Sequence, residues 1–225
     1  MPRYYPAFLD IKGKKCLVVG GGVVAERKVN SLLKCGAEVS IVSPDLTRRL
    51  KELYSKGEIK FLKGEFKEKY LKDIFLVIGA TDNSNVNFMV YESANKKNIL
   101  VNIVDSPELC NFIVPSVVER GALTIAISTG GKSPALAKKL RKELEDRYGF
   151  EYAKFLNLMG NLRKRISSKI RDKRKREEIY KNLIDSDIIK LIRDGNDKSA
   201  KNRIDEIIKQ ITRERHSERS EESRF

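Results

Sequence analysis

The sequence predicts an α/β protein: a parallel sheet covered by helices, then a β-hairpin with a helix, then helices alone. Three observations carry this. Short apolar runs alternate with helix-period segments over residues 1–105. Two β-rich runs follow, separated by Glu119-Arg120-Gly121-Ala122. From Phe150 onward, apolar residues recur only at three- and four-residue spacing.

Each element has its own warrant. Lys15 to Gly20 is an apolar strand running into glycines, and Val24 to Lys34 has helical spacing through Ala25, Val29, Leu32 and Leu33. Glu38 to Ser43 is a second strand, followed by a helical stretch over Leu46 to Tyr54 and a short strand over Ile59 to Leu62. Ile74 to Ala80 reads as a strand buried on both faces, Val86 to Ala94 as a helix and Ile99 to Val104 as a strand. Phe112 to Val118 and Leu123 to Ile127 are the arms of the hairpin. Ser133 is a good N-cap, with Pro134 at the first helical position and Gly149 past the end near Tyr148. Tyr152, Phe155, Leu156, Met159, Leu162 and Ile166 form one helical stripe, and Ile204, Ile207, Ile208 and Ile211 another. Residues 213–225 are polar and aperiodic, so disorder is expected there.

Composition narrows the function classes. No apolar run reaches about 18 residues, which argues against a transmembrane helix, and the N-terminus lacks the pattern of a secretory signal. Cys16, Cys35 and Cys110 match no zinc or paired-thiol spacing, as expected of reduced thiols in a cytoplasm. With His216 the sole histidine, neither a His-rich metal site nor a Ser-His-Asp triad is available. The net charge is +15, with 25 basic against 17 acidic residues in 1–150 and 21 against 14 in 151–225. Such a field favours a polyanionic partner or is simply a solvated basic surface.

Gly20-Gly21-Gly22-Val23-Val24-Ala25 matches G-x-G-x-x-[GA] between a strand and a helix. The first glycine permits a tight turn, the second lets backbone approach a pyrophosphate, and the third position packs helix on strand. Free N–H groups at the helix start face the anion. In this strand–turn–helix setting the motif indicates a Rossmann dinucleotide site rather than a structural turn. Gly20, Gly22, Val23 and Val24 are therefore cofactor-binding candidates. At the end of the second strand, where a ribose-binding acid belongs, the sequence reads Ser43-Pro44-Asp45. Asp45 favours NAD, while Arg48 and Arg49 leave NADP open. Arg27 and Lys28 are either phosphate contacts or solvated charges. Thr81 and Asp82 follow the fourth strand, and either border the nicotinamide or cap the next helix.

Four stretches occur together in one order: residues 20–28, Ala80-Thr81-Asp82, residues 102–115 (NIVDSPELCNFIVP) and residues 128–137 (STGGKSPALA). In this combination the chain resembles the precorrin-2 dehydrogenase and sirohydrochlorin ferrochelatase family, the dehydrogenase-chelatase module of sirohaem synthase. The resemblance is close over about residues 4–150 and looser beyond. It implies an NAD-binding domain over 1–112, a dimerisation region over 113–149 and a helical domain over 150–212, assembled as a homodimer. It also implies NAD-dependent oxidation of precorrin-2 to sirohydrochlorin and, in some members, insertion of ferrous iron, a substrate here rather than a resident metal.

The family's catalytic aspartate falls on Asp105, which is both the expected proton acceptor and a transient oxygen ligand for incoming iron. Local sequence alone reads Asp105 as a turn with Ser106 and Pro107. Ser128, Thr129, Gly130 and Lys132 are substrate-binding candidates, with Thr129 at the position that can be phosphorylated in the family. Lys132 and Arg120 either pair with the carboxylates of the macrocycle or are solvated. Cys110 reads as packing rather than as a metal ligand. The competing class is a binding module that senses NAD(H) without catalysis, its basic run Arg171 to Arg176 touching nucleic acid. No aromatic residues interleave with that run, so nucleic acid is not the expected partner, nor is a membrane.

Overall fold

The structure, a computed structural model, describes residues 4–222, with side chains through Thr212. Met1–Val114 and Pro115–Phe225 form two compact units.

In the first unit, β1 (Lys15–Val19), α1 (Val23–Lys34), β2 (Glu38–Ser43), α2 (Arg48–Ser55), β3 (Lys60–Lys63), β4 (Leu76–Gly79), α3 (Ser84–Lys96) and β5 (Leu100–Ile103) alternate along the chain. The five strands pair in the order β3-β2-β1-β4-β5, every pair parallel. Successive β1 side chains enter opposite layers. Cys16 and Val18 pack with Val29, Leu32 and Leu50, while Leu17 and Val19 pack with Val90, Ala94 and Ile103. With both faces covered from Cys16 to Val19, no position there is left for a polar alternation, which is why the run reads apolar after the exposed Lys15. Two 3-10 turns, Glu68–Leu71 and Pro107–Leu109, have no counterpart in the sequence pattern.

The chain leaves β1 toward β2 on one side and returns through β4 on the other. This switch in strand order opens a crevice at the carboxyl ends of β1 and β4.

In the second unit, β6 (Ser116–Arg120) and β7 (Leu123–Ile127) form an antiparallel hairpin. The expected first arm, Phe112 to Val118, is corrected: the strand begins after Pro115 and ends later, leaving only Gly121-Ala122 in the turn. Pro115 has no N–H to give a ladder, and the carbonyl upstream of it, Phe112 O, accepts from Asn102 Nδ2 at 3.1 Å. Gly121 carries the positive φ of +61° that a two-residue turn requires.

Helix α4 (Pro134–Arg147) starts as expected, with Ser133 Oγ accepting from Leu136 N. Then come α5 (Glu151–Lys169), α6 (Lys173–Asp185), α7 (Ile188–Arg193) and α8 (Asp197–Glu222). Phe155, Leu162, Ile166, Ile179, Leu183, Ile188 and Ile204 pack into one core. Tyr152 and Leu156, expected on the same stripe, stay half-buried. The backbone of α8 runs on through residues 213–222, where irregular chain was expected. Arg and Glu are strong helix formers and extend an established helix without an apolar stripe. The final three residues of the expected tail lie outside the described residues.

A candidate dinucleotide cleft and a strained aspartate

A cleft of ≈ 660 Å³ opens over the glycine turn, within the range of small-molecule sites. All nine residues expected to bind cofactor line it: Gly20, Gly22, Val23, Val24, Ser43, Pro44, Asp45, Thr81 and Asp82. The glycines are required for different reasons. Gly20 has φ +119°, and a Cβ on it would strike the Ala80 carbonyl oxygen. Gly21 is equally constrained, since its Cβ would meet the Asp45 carbonyl oxygen and the Ser43 hydroxyl. At Gly22, the N-cap of α1, a Cβ would meet nothing within 4 Å. Gly22 lines the cleft at the start of α1, where the free N–H groups of the first turn attract an anion. Ala25 at the third motif position is fully buried against the sheet. The glycine turn thus fits a dinucleotide pyrophosphate.

The far wall is acidic. Ser43 is 7% exposed and sits beneath Gly21, so the acid is displaced outward to Asp45, which pairs with Lys51 at 2.8 Å. The Lys51 hydrogen bond, then the Leu46 backbone N–H, holds the Asp45 carboxyl below its ordinary value. Arg48 and Arg49, the candidates for a 2′-phosphate, instead pair with Glu52 at 3.3 and 3.2 Å and do not line the cleft. Three acids and no lysine or arginine appear among the described lining residues: Asp45, Glu65 and Asp82. Gly64, Glu65 and Phe66 escaped the sequence reading. The signal was present, because they follow β3 and every strand of a parallel sheet ends on the ligand side.

Thr81 hydrogen-bonds within its own loop, its hydroxyl accepting from Asn83 N at 3.1 Å and lying 3.1 Å from Asn87 Oδ1. The cap of α3 is Asn83, whose Oδ1 accepts from Asn85 N and Val86 N. The alternative that Thr81 or Asp82 caps this helix is therefore corrected: Asn83 does so, and both residues remain on the cleft wall.

Asp105 follows β5, one strand beyond β4, at the same carboxyl edge of the sheet. It is exposed and held at φ +59°, in the left-handed region. Aspartate tolerates that region better than most residues, but holding it still costs about 1–3 kcal/mol. Lys28 on α1 is half-buried. Burial first, then Arg27, pulls its pKa down, while attraction to Asp105 and Cys110 opposes the shift. A cation thus accompanies the aspartate, and sequence spacing gave no sign of it because α1 and the end of β5 meet only in the fold.

The remaining candidates lie in the second unit. In the loop between β7 and α4, Thr129 Oγ1 accepts from Ser133 N at 3.2 Å and donates to Ser133 O at 3.1 Å. Ser128 Oγ accepts from Gly130 N at 3.0 Å, and Lys132 is exposed. Arg120 makes its contacts within the second unit. Its Nη2 donates to Glu145 O at 3.1 Å, its Nη1 to Glu119 O at 2.9 Å, and its guanidinium lies 5.1 Å from the Phe150 ring centroid. In the basic run, Arg176 Nη1 donates to Ile170 O and Arg171 O, satisfying carbonyls at the end of α5. Among the described residues, no helix is long and apolar enough to cross a membrane, and no three His, Cys, Asp or Glu side chains are grouped to hold a metal ion.

Three family descriptions match successive stretches of the chain: a putative NAD(P)-binding domain over residues 7–116, the central region of sirohaem biosynthesis proteins over 120–147 and the sirohaem synthase dimerisation region over 151–208. Siroheme synthase of Nitrosococcus oceani is 40% identical over 198 residues, covering 88% of this chain and 42% of that protein. Siroheme synthase of Photobacterium profundum is 36% identical with the same coverage of each. The chain therefore spans less than half the length of these curated relatives. Among solved structures, SirC, a precorrin-2 dehydrogenase, superimposes with a TM-score of 0.77 at 28% identity, covering 90% of this chain and 100% of that one. The order of the three segments, the glycine cleft and the shared fold agree: over residues 7–208 the chain is similar to the sirohaem biosynthesis proteins.

Proposed function

We propose that this protein catalyses the NAD-dependent oxidation of precorrin-2 to sirohydrochlorin. The observation that carries the reading is the pairing of a glycine cleft at the β1/β4 crevice with a strained aspartate one strand away on the same edge. Gly22 and the first turn of α1 hold the pyrophosphate, Asp45 bonds the adenosine ribose, and Thr81 and Asp82 border the nicotinamide. NAD is preferred to NADP, because a 2′-phosphate near Asp45 and Glu65 would meet carboxylates and no lining cation. When bound, the nicotinamide supplies the hydride acceptor. Asp105 takes the accompanying proton from the macrocycle on its carboxylate. Ser128, Thr129, Gly130 and Lys132 bind substrate carboxylates, and the second unit pairs two chains into a homodimer. Where ferrous iron is a second substrate, Asp105 is the oxygen ligand and proton acceptor for its insertion.

The test is an anaerobic assay of purified protein with precorrin-2 and either NAD+ or NADP+, followed by addition of ferrous iron. NADH and the sirohydrochlorin spectrum should appear together, with NADP+ a far poorer oxidant. Iron should then give a sirohaem spectrum faster than the uncatalysed insertion. NAD+ binding without turnover would reject the enzyme in favour of a nicotinamide-sensing module.

A further inference from the structure

We infer that Cys110 is the positioning residue for Asp105, its thiol closing the end of the edge strand and bracketing the turn that presents the carboxylate. The inference rests on the reading of Asp105 as the proton acceptor.

β5 lies at the edge of the sheet, so its outward backbone groups have no neighbouring strand. Two side chains take the place of one. Asn111 Oδ1 accepts from Val101 N at 2.7 Å, Asn111 Nδ2 donates to Ile99 O at 2.9 Å, and Asn111 N donates to Val101 O at 3.0 Å. Cys110 continues the ladder: its Sγ accepts from Ile103 N at 3.2 Å and lies 3.3 Å from Ile103 O. The same sulfur is 3.2 Å from Ser106 O, so its single proton is shared between the carbonyls two residues before and one residue after Asp105. Asn102 Nδ2 approaches the sulfur at 3.4 Å from the strand side.

This arrangement accounts for an aspartate held at φ +59°. A strained residue persists only where its surroundings over-determine it. Here the Ser106 N–H to Ile103 O bond of 3.3 Å closes the turn weakly, and the thiol reinforces it from both sides. Burial raises the Cys110 pKa above that of a free thiol, so the group stays protonated and able to donate at neutral pH. Lys28 interacts with Cys110 as well as with Asp105, so thiol, aspartate and cation form one neighbourhood.

Valine gives the sharpest variant. Cys110 is extended, at φ −129° and ψ 133°, a conformation in which valine fits while offering no hydrogen bond. The assay measures kcat and KM for precorrin-2, NAD+ affinity and Tm for Cys110→Val, Cys110→Ser, Asp105→Asn and Leu109→Ala. Leu109 serves as control because its side chain packs in the same apolar cluster.

Cys110→Val should lower kcat about tenfold, as expected when a backbone pair loses its partner. NAD+ affinity should stay within about twofold, since no residue of this turn lines the cleft. Cys110→Ser should restore most of the loss, and Leu109→Ala should lower Tm without lowering kcat. Wild-type kcat in Cys110→Val would overturn the inference. So would equal losses of kcat in Cys110→Val and Leu109→Ala at equal loss of Tm. If Cys110→Val does not fold, Cys110→Ala is judged by the same criteria. Full activity in Asp105→Asn would instead reject the reading of Asp105 itself. Loss of activity in Asp105→Asn with none in Cys110→Val would reject the positioning role alone.

Discussion

At Gly20 and Gly22 the two ends of one motif do different work. Gly20 combines a positive φ with backbone contact to Ala80, so Gly20→Ala should destabilise the fold by at least about 1–2 kcal/mol, measured by denaturant unfolding. Gly22 has open space where a Cβ would stand. Gly22→Ala should therefore keep stability within about 1 kcal/mol while weakening NAD+ about tenfold or more by calorimetry, through loss of close backbone approach. The cysteines form a second residue-scale test. Burial pushes the Cys16 thiol up to about 11, with a further rise from Cys35, whereas Cys35 is exposed. A thiol-directed alkylating reagent at neutral pH should modify Cys35 first and Cys16 last, read by peptide mass spectrometry. The glycine motif was legible in the sequence because it is contiguous between a strand and a helix, whereas the Ala80 carbonyl that constrains Gly20 comes from sixty residues away. The role of Lys28 was not legible, because it depends on α1 coming near Asp105 in space, and that of Cys110 was not, because it depends on how the turn after β5 folds its sulfur back onto Ile103 and Ser106.

Helix boundaries behave as local chemistry dictates. Ser133 caps α4 and Pro134 sits at its first position, both readable from residue type alone. Ser133→Ala should cost about 1 kcal/mol, and Ser133→Asp much less. Glu151 begins α5, and its carboxylate, only 9% exposed, reaches Arg193 of α7 at 2.8 Å. Burial raises its pKa, but backbone N–H groups and Arg193 outweigh that and leave it lowered from 4.5. A lowered folded-state pKa adds stability that is fully present above the unfolded value and disappears as pH falls through the folded one. The Tm gap between wild type and Glu151→Gln should therefore be largest at neutral pH and narrow as pH falls below the unfolded-state value of 4.5. The hairpin shows where local pattern fails. Phe112 to Val118 is β-rich along its length, but Pro115 and the Asn102 amide bonded to Phe112 O delay the strand to Ser116. A side chain reaching from β5 has no signature in the run it interrupts.

For the whole molecule, a charge of +15 would attract the polycarboxylate proposed as its substrate. Raising ionic strength from about 0.05 to about 0.5 M shortens the screening length severalfold. The KM for precorrin-2 should then rise by about tenfold while kcat holds, in steady-state assays across a salt series. Net charge alone left a polyanionic partner and a solvated basic surface both open, and the family resemblance, with the glycine motif and Asp105, pointed to the proposed chemistry. The most direct test of that chemistry uses Asp105→Asn, because asparagine keeps the side-chain shape and tolerates the left-handed backbone. NADH formation is followed in a single anaerobic turnover with precorrin-2, with NAD+ affinity measured on the same preparation. The account predicts wild-type NAD+ affinity and NADH formation slowed by about a hundredfold or more. NADH formed by Asp105→Asn at the wild-type rate would contradict it.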